Sequence, residues 1–481
     1  MYKDFTVRIQ PRIDFLNEEQ IETIHNAALT ILEKTGVVIH SEEVVDFLSS
    51  FGCRVVDRKR VCMPSHLVED AIRATPPIVN IYNRKGESAM ELGTRKSYWG
   101  TGSDTPFTID YETGQKRNTS LDDVRNFAIT IDALDNMDFL MCMAVAHEFS
   151  GAIADKRHFL TMTDNTTKPL VFTASSVENL TDIYEIACEI AGSPENFERK
   201  PFIILYTEPQ APLIHPKDSL EKLLFAVEHG IPVIYSAATT AGQNGPVTLA
   251  GSVALSVARN LSGFVIAQLK RKGAKMITTL HASSMDPRSA IHTYSSPEHI
   301  IGQGISRSML EHYKIPTFGR AGCSQAKVLD QQAAFEAGTE ILFQALHGEN
   351  LIHDVGYLEA GLSSSLESLV MCDEFIGFAK RVVQGFNLNE DSLALDLIDE
   401  VGPEGHFMAE MHTVENIKNE FWFPKLLDRD NYDMWESKGG TTMKGRIQAR
   451  IKDILKNHKP ESIGKDLVVK FEEIANKNHK K

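Results

Sequence analysis

The sequence predicts an α/β protein built as a (β/α)₈ TIM barrel, with an N-terminal α+β cap and a C-terminal helical extension. Three observations lead there. Eight short apolar runs, most of them rich in β-branched or aromatic residues, each lead into a helix-like stretch. The alternation holds over roughly 290 residues, which suits a closed barrel better than an open doubly wound sheet of about five or six strands. The helical stretches space apolar residues three and four apart, as Leu255, Ala258, Leu261, Val265 and Leu269 do.

Residues 1–95 read as the cap. Asn17 precedes Glu18, Glu19 and Gln20 and then an apolar-periodic run from Ile21 to Leu32, the pattern of a capped helix with acid in its first turn. Gly36 ends that helix. A second helix spans 42–50, short strands follow over 54–63, and Pro64 and Ser65 open a third helix over 67–74. Pro76 and Pro77 stop it and lead into an extended run over 78–82.

Residues 96–385 read as the barrel. Its predicted strands are 97–100, 139–145, 169–173, 202–207, 232–238, 275–280, 316–319 and 350–355. Its predicted helices are 121–134, 153–164, 177–191, 217–228, 247–272, 298–313, 330–347 and 364–384. Residues 386–481 form the extension, with a helix over 394–400, the stretch Phe421-Trp422-Phe423-Pro424, a Gly439-Gly440 break and a helix over 444–456. The aromatic stretch is the expected contact surface of a homo-oligomer.

The composition narrows the function classes. Hydrophobic residues make up 42% of the 481 residues, enough for a large core. A formal net charge of −15 argues against nucleic acid or an anionic membrane as partner. The basic tail (Lys470, Lys477, Lys480, Lys481) is short, diluted by Glu472 and Glu473, and reads as a solvated terminus. The opening residues show no secretory pattern and no run reaches the ~20 apolar residues of a membrane helix, so a cytoplasmic enzyme is expected. The six cysteines are scattered without a C-x-x-C pair, which favours buried free thiols.

In such barrels the chemistry sits on strand C-termini and the loops after them. That rule selects Tyr98, Trp99, Asp104 and Phe107 after the first strand, Tyr206 and Glu208 at the fourth, and Asn244 after the fifth. It adds His281 at the sixth, Arg320 and Gln332 after the seventh, and His353, Tyr357 and Glu359 at the eighth. The set is aromatic and acidic, and short of lysine. Ring faces with carboxylates suit a quaternary ammonium cation. Ordinary barrel packing would account for any single aromatic.

Two other readings use the same residues. His147, His281, His353 and Asp354 together would suit a metal-dependent barrel hydrolase or lyase, but the paired histidines usual on a first strand of such enzymes are replaced by Ser97-Tyr98-Trp99. A non-catalytic betaine-binding protein would need the same aromatic set. Gly100-Thr101-Gly102 and Gly302-Gln303-Gly304 lack phosphate-loop spacing, and no Gly-x-Ser-x-Gly elbow occurs.

Several dispersed stretches resemble the trimethylamine methyltransferase family, in particular its members that lack pyrrolysine and demethylate betaines. They are Gly245-Pro246-Val247-Thr248-Leu249-Ala250-Gly251, Gly322-Cys323-Ser324-Gln325-Ala326-Lys327 with Asp330-Gln331-Gln332-Ala333, and Gly348-Glu349-Asn350-Leu351-Ile352-His353-Asp354-Val355-Gly356-Tyr357-Leu358. Leu32-Glu33-Lys34-Thr35-Gly36-Val37 and the 98–107 stretch fit as well. The resemblance implies a methyltransferase that binds a methylated amine in its barrel and passes a methyl group to the cobalt(I) corrinoid of a separate, cognate corrinoid protein. With no D-x-H-x-x-G pattern, the chain is expected to bind no cofactor itself. The family's founding members use pyrrolysine, whereas only standard residues occur here. A quaternary amine already carries the positive charge that makes a good leaving group, so the departure points to a betaine-type substrate. Arg320, His353, Gln332, Asn244 and His281 are then alternative donors for its carboxylate; ionised Glu208 and Glu359 are not.

Overall fold

The computed structural model describes residues 6–149 and 151–476. The barrel strands are β1 (Tyr98–Trp99), β2 (139–140), β3 (Leu170–Phe172), β4 (Ile203–Thr207), β5 (Val233–Tyr235), β6 (Met276–Ile277), β7 (Phe318–Arg320) and β8 (Leu351–His353). All pairings between neighbours are parallel. β3 to β6 form one ladder, and β8 joins β7 on one side and β1 on the other. Bridges Gly100–Phe139, Leu140–Leu170 and Thr278–Thr317 close the remaining gaps. The cylinder is therefore complete, and every strand backbone is paired on both sides.

A helix follows each strand: α1 (Leu121–Ala133), α2 (Gly151–Asn165), α3 (Val177–Ala191), α4 (Lys217–Glu228), α5 (Leu249–Lys270), α6 (Pro297–Tyr313), α7 (Gln331–His347) and α8 (Leu366–Gln384). The strand-to-helix loops end in residues that satisfy the first helical N–H groups. Ser120, Ser176, Ser296, Asp330 and Ser365 each accept a backbone N–H from the first turn. At the other end of α1, the Lys168 ammonium donates to the carbonyls of Ile131, Leu134 and Met137 at 2.6–2.7 Å, tying the helix C-terminus to the entry of β3.

The period of two along each strand decides what fills the cylinder. Val171, Ile204, Ile234, Ile277, Phe318 and Leu351 form one buried layer. Below them a hairpin of the cap, Val79–Tyr82 paired with Ser88–Leu92, inserts Val79, Ile81, Met90 and Leu92 into the same cluster. It plugs the N-terminal end of the barrel. Two positions further along the strands, Thr173, Tyr206, Ser236, Thr279, Arg320 and His353 face open space. The barrel is solid at its base and hollow at its C-terminal mouth.

The rest of the cap packs outside. Helices Glu18–Thr30 and Ser65–Ala74 lie against α5, and a four-stranded sheet joins Val37–Ile39, Arg60–Cys62 and Arg54–Val55 to Ile214–His215 from the loop after β4. Covered on both sides, α5 is the one helix among the described residues long and apolar enough to cross a membrane, and it is mostly buried. The expected Asn17 cap is present as a reciprocal capping box with Gln20. In the extension, Met443–Asn457 buries Ile447, Ile451 and Ile454 against α8 and α1, and Lys465–Ala475 buries Phe471 against α2. All six cysteines are buried and unpaired. Lys470 pairs with Glu189 at 2.7 Å; Lys477, Lys480 and Lys481 lie outside the described residues.

Candidate functional site

The mouth holds a cavity of about 670 Å³. Of the residues selected from the sequence, it brings together Asp104, Tyr206, Glu208, Asn244, His281, Arg320, His353 and Tyr357. They arrive from β1, β4, β5, β6, β7 and β8 or the loops after them, as the barrel rule requires.

Aromatic rings form one wall. The Phe318 and His353 rings stack at 4.0 Å with an interplanar angle of 11°, and Tyr206 lies 5.5 Å from Phe318. Tyr357 is held by its hydroxyl, which donates to the Ser103 carbonyl at 2.5 Å. The Tyr206 hydroxyl donates to Glu208. These tethers turn flexible side chains into fixed faces, which lowers the entropy lost on binding.

Carboxylates form the rim. Asp354 adopts φ 73°, a left-handed conformation that costs a non-glycine residue on the order of 1 kcal/mol or more, and its Oδ1 stands 2.6 Å from His353 Nδ1. Asp104 has φ 68°. Gly102 makes room for both neighbours, since a Cβ there would stand 2.3 Å from Asp354 Oδ1 and from the Tyr357 hydroxyl. Surrounding protein pushes the Asp104 carboxyl up to about 6, partly offset by hydrogen bonds from Ser103 and Thr173, and Glu208 is raised by the same cause. Both residues are exposed at the mouth, and contact with water works against the upward direction of the shift.

That direction gives a pH expectation. As pH falls toward about 6, Asp104 takes a proton and the mouth loses negative charge, so affinity for a permanent cation falls. Calorimetric titration of such a ligand across this range checks it; affinity constant with pH would contradict it. For stability the sign is opposite. A raised carboxyl pKa contributes fully below the unfolded value, and the contribution is lost as pH rises through the folded one.

The remaining selected residues lie outside the cavity. Tyr98 points into the barrel but near its floor, where its hydroxyl accepts the Glu91 N–H of the plugging hairpin at 3.0 Å. Trp99 is fully buried on the outer side of β1, between strand and helices. Phe107 carries the Lys116 ammonium 4.2 Å over its ring, and Lys116 pairs with Glu359 at 2.5 Å. Gln332 is exposed and bonds Glu336 at 2.9 Å. Accordingly Tyr98→Phe is expected to leave ligand affinity unchanged while costing about 1 kcal/mol of stability. A joint calorimetric and thermal-melt measurement separates the two; weaker ligand binding would restore Tyr98 to the site.

The cavity also gathers residues that reading strand ends did not select. Tyr294 is the largest of them, and Arg320 sits 4.6 Å over its ring. Tyr294 follows a hairpin (Ala282–Met285 with His292–Thr293) inserted between β6 and α6. The long polar insert between the sixth strand and the Ser296-Pro297 helix start was the available signal. Phe318, Asp354, Ser103, Thr173, Lys222 and Thr279 are others of this group.

For a shared metal ion the arrangement is unsuitable. His147 bonds the Val145 carbonyl at 3.2 Å on the surface, and His281 Nδ1 is 2.6 Å from the Thr279 hydroxyl. Among the described residues no three His, Cys, Asp or Glu side chains are grouped to hold one ion. Burial, with Arg320 adding to it, holds the His281 imidazole neutral by pushing its pKa well down.

A family model described as trimethylamine methyltransferase (MTTB) matches residues 2–480. The chain belongs to the trimethylamine methyltransferase family. Among curated relatives, the glycine betaine methyltransferase of Desulfitobacterium hafniense (strain Y51) is 29% identical over 467 residues, covering 97% of each chain. A trimethylamine methyltransferase of Methanosarcina barkeri is 27% identical, covering 97% of this chain and 96% of its own. Among solved structures, the monomethylamine methyltransferase of Methanosarcina barkeri superposes with a TM-score of 0.55 at 10% identity, covering 92% of this chain and 89% of that one, a likeness of fold. Membership of the trimethylamine methyltransferase family makes the mouth cavity the candidate active site of a methyltransferase.

Proposed function

We propose that the enzyme moves a methyl group from a betaine-type quaternary amine, such as glycine betaine, proline betaine, carnitine or γ-butyrobetaine, to the cobalt(I) corrinoid of a separate corrinoid protein. The observation that carries this reading is the pairing of fixed ring faces (Tyr206, Tyr357) with carboxylates (Asp104, Glu208, Asp354) in one cavity. Rings and carboxylates both attract a permanent cation, and a desolvated wall strengthens the attraction. The relative named glycine betaine methyltransferase supports the substrate class.

A quaternary nitrogen leaves as a neutral tertiary amine, so no residue need donate a proton to it. The chain's own work is to bind, to orient one N–CH₃ bond toward the mouth and to exclude water. The corrinoid is the second substrate. Docking of its carrier at the mouth is supported by the exposed Val247, Ile291, Val328, Phe335 and Leu362, all in loops after strands or in the first two turns of a helix on that face. A homo-oligomer is supported by the exposed Phe407, Met408, Met411, Phe421 and Phe423 of the extension.

The test is a panel of quaternary and tertiary amines with a reduced corrinoid, followed by the absorbance change of cobalt methylation. Methylation with a betaine and not with trimethylamine is expected. Binding without methylation, in the presence of a competent corrinoid protein, would leave a betaine-binding protein instead.

A further inference from the structure

Arg320 stands out among the charged groups of the cavity. It is only 6% exposed, yet among the described residues it forms no ion pair with a carboxylate. One guanidinium nitrogen, Nη2, is 3.0 Å from His299 Nδ1, and the guanidinium carbon lies over the Tyr294 ring, 4.6 Å from its centroid. Its Nε is buried without a hydrogen-bond partner. A buried, half-satisfied cation is costly, and a site that keeps one is built to receive an anion.

The surroundings do not supply that anion. Lys222, the other strong base lining the cavity, is paired with Asp218 at 2.8 Å and bonds the Ala174 carbonyl. His353 is engaged by Asp354. Burial pushes the Glu340 carboxyl well up, against the pull of Arg320, and the two form no ion pair. His292 and His299 are pushed down by burial and then by Arg320 itself, so they too are neutral. The backbone that carries the side chain is fixed as well: the Arg320 N–H donates to Gln303 Oε1 at 3.0 Å and its carbonyl accepts from Gln344 at 3.0 Å.

Position along the strands gives the polarity. Arg320 is a strand residue, in register with His353 and directly above Phe318. Asp104, Glu208 and Asp354 all follow the ends of their strands and so stand nearer the mouth. We propose that Arg320 is a carboxylate subsite at the inner end of the cavity, which makes the substrate a zwitterion bound tail-in, with its ammonium between Asp104, Glu208 and Asp354. This deepens the reading above and rests on it for the cation. Tail-in binding leaves the methyl groups facing the side from which an acceptor arrives.

The test is binding alone, by calorimetry, with glycine betaine and choline, which share the trimethylammonium head and differ in the carboxylate. In the wild-type chain, glycine betaine is expected to bind at least about tenfold more tightly than choline. In Arg320→Gln, glycine betaine is expected to weaken by about 100-fold or more, while choline binds as well or better because a like charge has left the cavity. Opposite responses of the two ligands are what a merely structural role of Arg320 would not produce. Parallel loss of both ligands, or a wild type that binds choline as tightly as glycine betaine, would overturn the subsite; the second result needs no folded variant. A chain that binds glycine betaine in this way but transfers no methyl would refute the proposed function and leave the subsite standing. Equal transfer from choline and glycine betaine, unaffected by Arg320→Gln, would refute the subsite alone.

Discussion

Gly102→Ala is expected to lower kcat/KM for methyl transfer by about 100-fold or more, with the fold retained. The reason is close approach rather than backbone freedom. A methyl at Gly102 would stand 2.3 Å from Asp354 Oδ1 and 2.3 Å from the Tyr357 hydroxyl, far inside contact distance. Neither neighbour can step aside cheaply. Tyr357 is tethered to the Ser103 carbonyl, one residue from the substitution, and Asp354 is fixed by His353 and by its own left-handed backbone. The displaced groups are a ring face and a carboxylate of the proposed cation site, so ligand affinity is expected to fall with the rate. Gly338→Ala is the matched control, because a Cβ there meets Phe375 at an ordinary 3.5 Å on α7. Steady-state kinetics with calorimetry on the two variants decide the matter. Wild-type rates in Gly102→Ala would show that the cavity wall is not where substrate binds.

The largest stability effect is expected far from the mouth. Lys156 on α2 is completely buried and pairs with the buried Asp182 on α3 at 2.9 Å. Lys156 also donates to the Ile474 carbonyl at 3.4 Å, so it joins two barrel helices to the last helix of the extension. Lys156→Ala would leave the Asp182 carboxylate in the interior without its cation, a loss of about 3–5 kcal/mol. Asp182 would respond by taking up a proton, and the helix Lys465–Ala475 would lose one of its anchors. A lowered Tm with early proteolysis after α8 is the expected result. The double variant Lys156→Met with Asp182→Leu should recover most of the loss, since two apolar groups of similar volume leave no charge behind. An unchanged Tm in Lys156→Ala would mean that the pair contributes nothing net.

The fold was legible because its signals are local and repeated. Each strand is a short β-branched run, several entered through a proline (Pro169, Pro232, Pro316), and several of the helices begin at a serine or aspartate cap. The eight predicted helices and seven of the eight predicted strands are found within a few residues of their expected limits, while the strand expected over 139–145 is reduced to single bridges at Phe139 and Leu140. The site was legible only in part, because strand ends are one-dimensional and a barrel wall has depth. Tyr98 on β1 and Gly100 and Gly102 just beyond it all face inward, yet the aromatic one lies at the plugged floor and the glycines climb to the mouth. Trp99 fails for a simpler reason: one residue along a strand is the opposite face. Gln332 and Phe107 leave the cavity because the chain has already turned outward toward α7 or into a side hairpin with Lys116–Asn118. Tyr294 was missed because the insert after β6 returns to the mouth, a long-range placement that no period of two or 3.6 encodes.

The central claim is that the mouth recognises a permanent positive charge. The direct measurement is a pair of calorimetric titrations on the wild-type chain, glycine betaine against 3,3-dimethylbutanoate, which replaces the nitrogen by carbon and keeps shape and carboxylate. With rings and carboxylates around the head group, loss of the charge is expected to weaken binding by about 30-fold or more. Equal affinity for the two ligands would contradict the account.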